Sequence, residues 1–193
     1  LSTPSASAYA TPTDRKRPCF ATWDELARFS NGLIAFTGDE EGPIRRAWRT
    51  QGSAASATAL EKLTAIFGSD SDPQRARLFV ELQRHRIRGE DRENQFLVDL
   101  ASAHRLPLLA TGGVNYALPA HRIVSDIFTC LRLHTTLDAA GRSLEINSQR
   151  HLKSAATMQA LFADLPTALE NSVHLESRLE FTLQNLGYEF PTY

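Results

Sequence analysis

The chain has little of several things, and each scarcity excludes a class. Its 193 residues contain two cysteines, one methionine and two tryptophans. Cys19 and Cys130 stand far apart with no C-x-x-C spacing, which argues against a disulfide framework and reads as reduced, buried thiols of a cytoplasmic protein. No apolar run approaches the roughly 18 residues of a membrane span. The opening "LSTPSASAYATPTDRKRP" also lacks the apolar core of a secretory signal, so no membrane partner is expected. There is no surplus of either charge: 21 Lys and Arg face 22 Asp and Glu, a net of −1. A dedicated duplex-binding module would show a basic excess. G-x-G-x-x-G, G-x-S-x-G, a Cys/His pair and a paired-aspartate signature are all missing. The first residue is Leu1 rather than Met, which reads as a piece of something longer.

What remains is an ordinary globular composition, 42% hydrophobic and 22% charged, with strand–helix alternation. Residues 1–20 read as a flexible arm. "TWDELARFS" offers Thr22 and Glu25 as a capping box, with Asn31-Gly32 as the stop. "LIAFTG", "RLFVELQRH" and "PLLAT" are short apolar runs of the kind found in a parallel sheet, over 33–37, 77–83 and 107–111. Helices fall between them. Pro43 takes a first-turn position, Ser53 a cap, and Gly68 a stop, while Leu60, Leu63 and Phe67 repeat at helical spacing. The helix over "GEDRENQFLVDLASAHRL" turns Phe96, Leu97 and Leu100 inward. Pro119 opens another, on which Ile123, Ile127, Cys130 and Leu131 share a face. "HTTLDAAGRSLEIN" reads as irregular. Two more helices follow, capped by Ser154 and Asp164 with Pro166 in a first turn, and "LGYEFPTY" is extended. The fold class is α/β with parallel strands, followed by an α-helical segment. Its parts are a flexible segment over 1–20, an α/β part over 21–134 and a helical part over 135–193. Three strands are too few for a closed (β/α) barrel, so the sheet is expected to be partial. An apolar edge would then lie open, giving self-association through that edge or disorder in residues 1–20.

Chemistry in parallel α/β folds gathers at the carboxyl ends of strands. Here those ends carry Glu81, Gln83 and His85 after one strand and Thr111-Gly112-Gly113 and Asn115 after another. The Gly-Gly turn is not a phosphate-binding fingerprint and reads as turn geometry. Glu81 and His85 lie four apart, a spacing that would share a helix face. Two ligands are also fewer than the three protein groups of a catalytic metal. His121, on the first turn of its helix, is a further candidate. His104, His134, His151 and His174 read as solvated or capping groups. Arg84, Arg86 and Arg88 read as solvated, as does the helical stripe Arg45, Arg46 and Arg49, which could also touch phosphate.

Several stretches carry a resemblance: "GLIAFTG", "LFVELQRHRIRGEDRENQFLVDLASAHRLPLLATGGVNYALP", "DIFTCLRLHTTLDAAGRSLEINSQRHLKSAATMQALFADLPTALENS" and "RLEFTLQNLGYEFPTY". In collinear order over most of 32–193, they resemble the amino-terminal region of bacterial C-family DNA polymerases. These are the DNA polymerase III alpha-subunit type, nearest to the error-prone paralogue of damage-induced synthesis. The resemblance implies the back part of a PHP-type barrel and the helices that lead to the polymerase palm. The palm itself and the barrel's opening His-x-His strand are absent. Metal-binding PHP domains carry an Asp-x-His pair on the strand matching "LLATGGVNY". Gly113 stands at the Asp position and Asn115 at the His position, so the resemblance implies an emptied metal site. No catalytic residue and no cofactor are expected in this chain, and the magnesium of the full polymerase would be bound elsewhere. Glu81, His85 and His121 remain as residual ligands for a rival reading, a PHP phosphoesterase. Implied partners are the rest of the polymerase chain, DNA through the full enzyme, and replication or repair proteins that could dock on this part.

Overall fold

The computed structural model describes residues 21–180. The arm expected over 1–20, Cys19 and the carboxyl-terminal "LGYEFPTY" lie outside the described residues. The chain divides into two units between Gly32 and Leu33. In the first, α1 (Trp23–Arg28) starts with the anticipated capping box. Thr22 Oγ1 accepts the Glu25 N–H at 3.2 Å, and the Glu25 carboxylate accepts the Thr22 N–H at 2.8 Å.

The second unit alternates strands and helices: β1 (Ala35–Phe36), α2 (Pro43–Gln51), α3 (Ser53–Phe67), β2 (Leu78–Gln83), α4 (Glu90–His104) and β3 (Leu108–Thr111). A 3-10 turn at Pro119–His121 leads into α5 (Arg122–Leu133), followed by α6 (Leu137–Ala140), α7 (Ala155–Leu161) and α8 (Pro166–Glu176). The strands form one parallel sheet in the order β1–β2–β3. Sequence pattern explains this sheet. All six residues of β2 are buried, as expected of a central parallel strand. Phe79 packs with Leu109, Ala76 and Leu175, and meets Phe36 edge-on at 6.4 Å between ring centroids. Leu60, Leu63 and Phe67 of α3 and Leu97 and Leu100 of α4 are buried. Phe96 is half-buried and stacks on Trp48.

Four local expectations are corrected. Ser53 does not cap α3: Gly52 holds that place, at φ +91° and with no side-chain bond. Asp164 does not cap α8, because its carboxylate is gripped by both Nη atoms of Arg84. The stretch read as irregular contains α6, started by Thr136, whose hydroxyl accepts the Ala139 N–H. On α5 the expected apolar face is not buried; only Cys130 and Asp126 are. Cys130 is a free thiol.

The β3 edge of the sheet is covered by a helix. Parallel pairing with β2 turns the carbonyls of Leu108 and Ala110 outward from β3. Asn171 Nδ2 of α8 donates to Leu108 O at 2.8 Å, and the Ser172 hydroxyl to Ala110 O at 3.0 Å. Side chains of a helix thus do the work of a further strand at that edge, while Leu175 covers the apolar surface beside it. Asn171→Ala should leave a partly buried carbonyl without its donor and cost about 1–3 kcal/mol in chemical denaturation. A loss under about 0.5 kcal/mol, the range of an ordinary surface substitution, would show that α8 does not close this edge.

Candidate functional site

The carboxyl ends of β2 and β3 bring polar side chains onto one face, because residues in parallel register point the same way. Gln83 is in register with Thr111 and Glu81 with Leu109. The Glu81 Oε1 atom accepts from Gln83 Nε2 at 2.8 Å and from Thr111 Oγ1 at 2.5 Å. Its backbone N–H is held by Thr37 Oγ1, at 3.0 Å. Glu81 is thus satisfied within the sheet, and buried.

His85, 2% exposed, lies past the end of β2 and faces elsewhere. Its Nε2 is 3.1 Å from Gly112 O, and its Nδ1 is 3.3 Å from Glu90 Oε1. Both ring nitrogens already face oxygen atoms. Glu90 opens α4, where a carboxylate answers the unpaired N–H groups of the first turn. Burial raises its carboxyl, but the His85 ring and the N–H groups of His85 and Ile87 outweigh burial and hold it below the ordinary value.

The Gly113 position is filled from outside. At φ +51°, a Cβ there would sit 2.4 Å from Gln83 Oε1 and 3.0 Å from Arg150 Nη1. The Gln83 amide takes this place, and the guanidinium of Arg150, 7% exposed, lies against it. Nη2 donates to Glu40 Oε1 at 2.5 Å and Nη1 to Gln83 Oε1 at 3.4 Å and Gly113 O at 3.5 Å. Its Nε lies 3.3 Å from Glu145 Oε2. Burial raises the Glu40 carboxyl; its own backbone N–H, then Arg150 and Arg45, bring it below the ordinary value. Asn115 does not point at Glu81 or His85, but donates to Glu145 Oε1 at 2.9 Å. The cluster borders a cleft of about 520 Å³ that Arg132 and Arg142 also line.

His121 sits exposed on the turn before α5. The three residual ligand candidates therefore have separate environments: Glu81 with Gln83 and Thr111, His85 with Gly112 and Glu90, and His121 in solvent. Among the described residues, no group of three or more His, Cys, Asp or Glu side chains could hold a metal ion. Gly113 and Asn115 supply no imidazole or carboxylate, and the Arg150 guanidinium lies against both Gln83 and Gly113. These residues do not fit a catalytic metal.

The arginines read as solvated also find partners. Arg45, buried, and Arg49 both pair with Glu93 of α4, at 3.8 and 2.7 Å. Arg84 grips Asp164 and lies 4.8 Å over the Phe162 ring. Sequence reading missed Arg150, Glu40, Glu90 and Glu145. The available signal was the acidic pair Glu40-Glu41 just beyond a predicted strand end.

Comparison with known proteins finds bacterial DNA polymerases among the relatives of this chain. Over 177 residues, 91% of this chain and 14% of the relative, it is 34% identical to the error-prone DNA polymerase of Rhodopseudomonas palustris strain BisB5. Over 105 residues, 54% of this chain and 9% of the relative, it is 41% identical to that of Bradyrhizobium diazoefficiens. The DNA polymerase III subunit alpha of Caulobacter vibrioides is 28% identical over all 193 residues, 16% of its length. No protein-family model matches. The resemblance drawn from the sequence stands: the chain is homologous to bacterial error-prone DNA polymerases and DNA polymerase III alpha subunits, and it spans 9–16% of the length of these three. Among the described residues, no helix is long and apolar enough to cross a membrane.

Two outcomes follow from the geometry. Gly113→Asp should destabilise the chain by about 1–3 kcal/mol, from a strained positive φ and the collision with Gln83. It should confer no zinc binding in isothermal titration; a stable variant that binds zinc would contradict the packing described. Glu90, with its folded pKa lowered, contributes stability that is fully present above the ordinary carboxylate value of about 4.3 and lost as pH falls through its lower folded value. Glu90→Gln should remove that component. Unfolding curves measured between neutral and acid pH that keep the same pH slope in the variant would contradict it.

Proposed function

We infer that this chain is a non-catalytic platform of a bacterial polymerase, the back part of a PHP-type barrel with the helices that lead towards the palm. The observation that carries this reading is the outer face of α5. Ile123, Val124, Ile127, Phe128 and Leu131 are 44–65% exposed there, at i, i+1, i+4, i+5 and i+8. That spacing is the apolar stripe of a helix made to be covered. The helix instead turns Asp126 inward, where Arg122 and the Glu145 N–H hold it. The stripe fits a surface that packs against the much longer remainder of such a polymerase. Nucleotide addition, its magnesium and contact with DNA then belong to that remainder. The separated environments of Glu81, His85 and His121 speak against the phosphoesterase reading.

The purified chain should give background activity in primer extension and in phosphodiester hydrolysis with manganese. Manganese-dependent hydrolysis that disappears in His85→Ala would overturn the non-catalytic reading. Phe128→Glu with Leu131→Glu should leave the isolated chain's unfolding midpoint within a few degrees, because both side chains are solvent-facing. In a full-length polymerase carrying this segment, the same pair should lower thermal stability and primer extension. Unfolding of the isolated chain by these changes would mean that the stripe is covered within the chain, against this reading.

A further inference from the structure

The oxygen atoms around Arg150 come from four separate segments. Glu40 follows β1, Gln83 ends β2, Gly113 follows β3, and Glu145 follows α6. Together they offer two carboxylates, one amide oxygen and one main-chain carbonyl, the kind of all-oxygen set that hard divalent cations take. They meet a guanidinium instead. Arg150 is fixed from behind as well: its carbonyl accepts the Asn115 N–H at 2.9 Å, and Tyr116 pairs with His151 in an isolated parallel bridge. The residue is therefore delivered to the strand ends by backbone pairing. The Cβ that any ligand-bearing residue at 113 requires would press on Gln83 Oε1 and lie 3.0 Å from Arg150 Nη1. A side chain at 113 would therefore have to displace the Gln83 amide, one of the acceptors of the guanidinium.

We propose that Arg150 is the resident cation of the strand-end site: its guanidinium stands in the place of a divalent ion, neutralises Glu40 and Glu145, and ties together the segments that follow the three strands. The consequence is specific. The chain needs no metal to hold its strand ends, and removing the guanidinium uncovers an oxygen-lined site for a hard divalent cation. The name of the metal position rests on the barrel reading above. The cage itself is tested separately from that reading, because stability and not hydrolysis or primer extension is measured.

The experiment is thermal unfolding of the full chain and of Arg150→Ala, Arg150→Gln and Arg150→Ala/Glu40→Gln, each with EDTA, manganese or calcium. The unaltered chain should unfold at one midpoint under all three conditions. Arg150→Ala in EDTA should unfold several degrees lower, since a buried guanidinium is removed from two partly buried carboxylates. Manganese or calcium should recover part of that loss in Arg150→Ala and in Arg150→Gln. Glu40→Gln added to Arg150→Ala should abolish the recovery, since it removes a ligand charge. Should Arg150→Ala not fold in EDTA, folding on addition of either ion supports the proposal. Failure of both ions to fold it, with no response in Arg150→Gln, overturns it. A midpoint of the unaltered chain that falls in EDTA and rises with manganese also overturns it, as does an Arg150→Ala midpoint equal to that of the unaltered chain.

Discussion

A buried guanidinium that must be given oxygen acceptors is the constraint around which the carboxyl end of this sheet is arranged. An unpaired charge taken out of water costs several kcal/mol, so its neighbours have to supply compensating groups. Four segments widely separated in sequence do so: the loop after β1 with Glu40, the end of β2 with Gln83, the turn after β3 with Gly113, and the segment after α6 with Glu145. The stretch that carries Arg150 is itself anchored to the sheet. Asn147 Nδ2 donates to His85 O at 2.7 Å, and the Tyr116 hydroxyl donates to Asn147 O at 3.3 Å. A pair of this kind gives little net stability against a well-packed apolar alternative, but breaking it is costly. That asymmetry makes it a lock on geometry rather than a source of adhesion.

The same logic of satisfying backbone groups with side chains integrates the helical segment with the sheet. Asn171 and Ser172 take the outward carbonyls of β3. Arg178 Nη1 takes the carbonyls of Pro73 and Ala76, which precede β2, at 2.7 and 2.8 Å. Arg84, just past β2, reaches across to Leu161 O and to the carboxylate of Asp164 between α7 and α8. The segment after residue 134 therefore supplies groups to both ends of the sheet.

How much of this was legible beforehand depended on distance along the chain. The three strands were visible as short apolar runs, and in "LFVELQ" one face, Leu78, Val80 and Leu82, is apolar throughout. The Thr22 capping box and the Ser154 cap were visible because each is a contact across three residues. Asp164 offered an equally good local cap and went instead to Arg84, eighty positions away. Helical periodicity found the apolar face of α5 and not its direction, since a stripe says only that a helix wants a partner. The site was half legible. Gly113 and Asn115 could be seen to carry no carboxylate or imidazole, whereas the guanidinium beside them could not. The Arg150–Glu40 contact spans 110 residues, and an arginine within "NSQRHLKS" carries no local sign of burial.

The central claim is that the strand ends are closed by an arginine and not by a metal. Crystals of the chain grown in manganese, with an anomalous difference map calculated at the carboxyl ends of the strands, test it most directly. The account predicts a planar guanidinium within hydrogen-bonding distance of Glu40 and Gln83, and no anomalous peak among Glu81, His85 and Glu40. A manganese peak coordinated by Glu81 or His85, with Arg150 turned out to solvent, would contradict it.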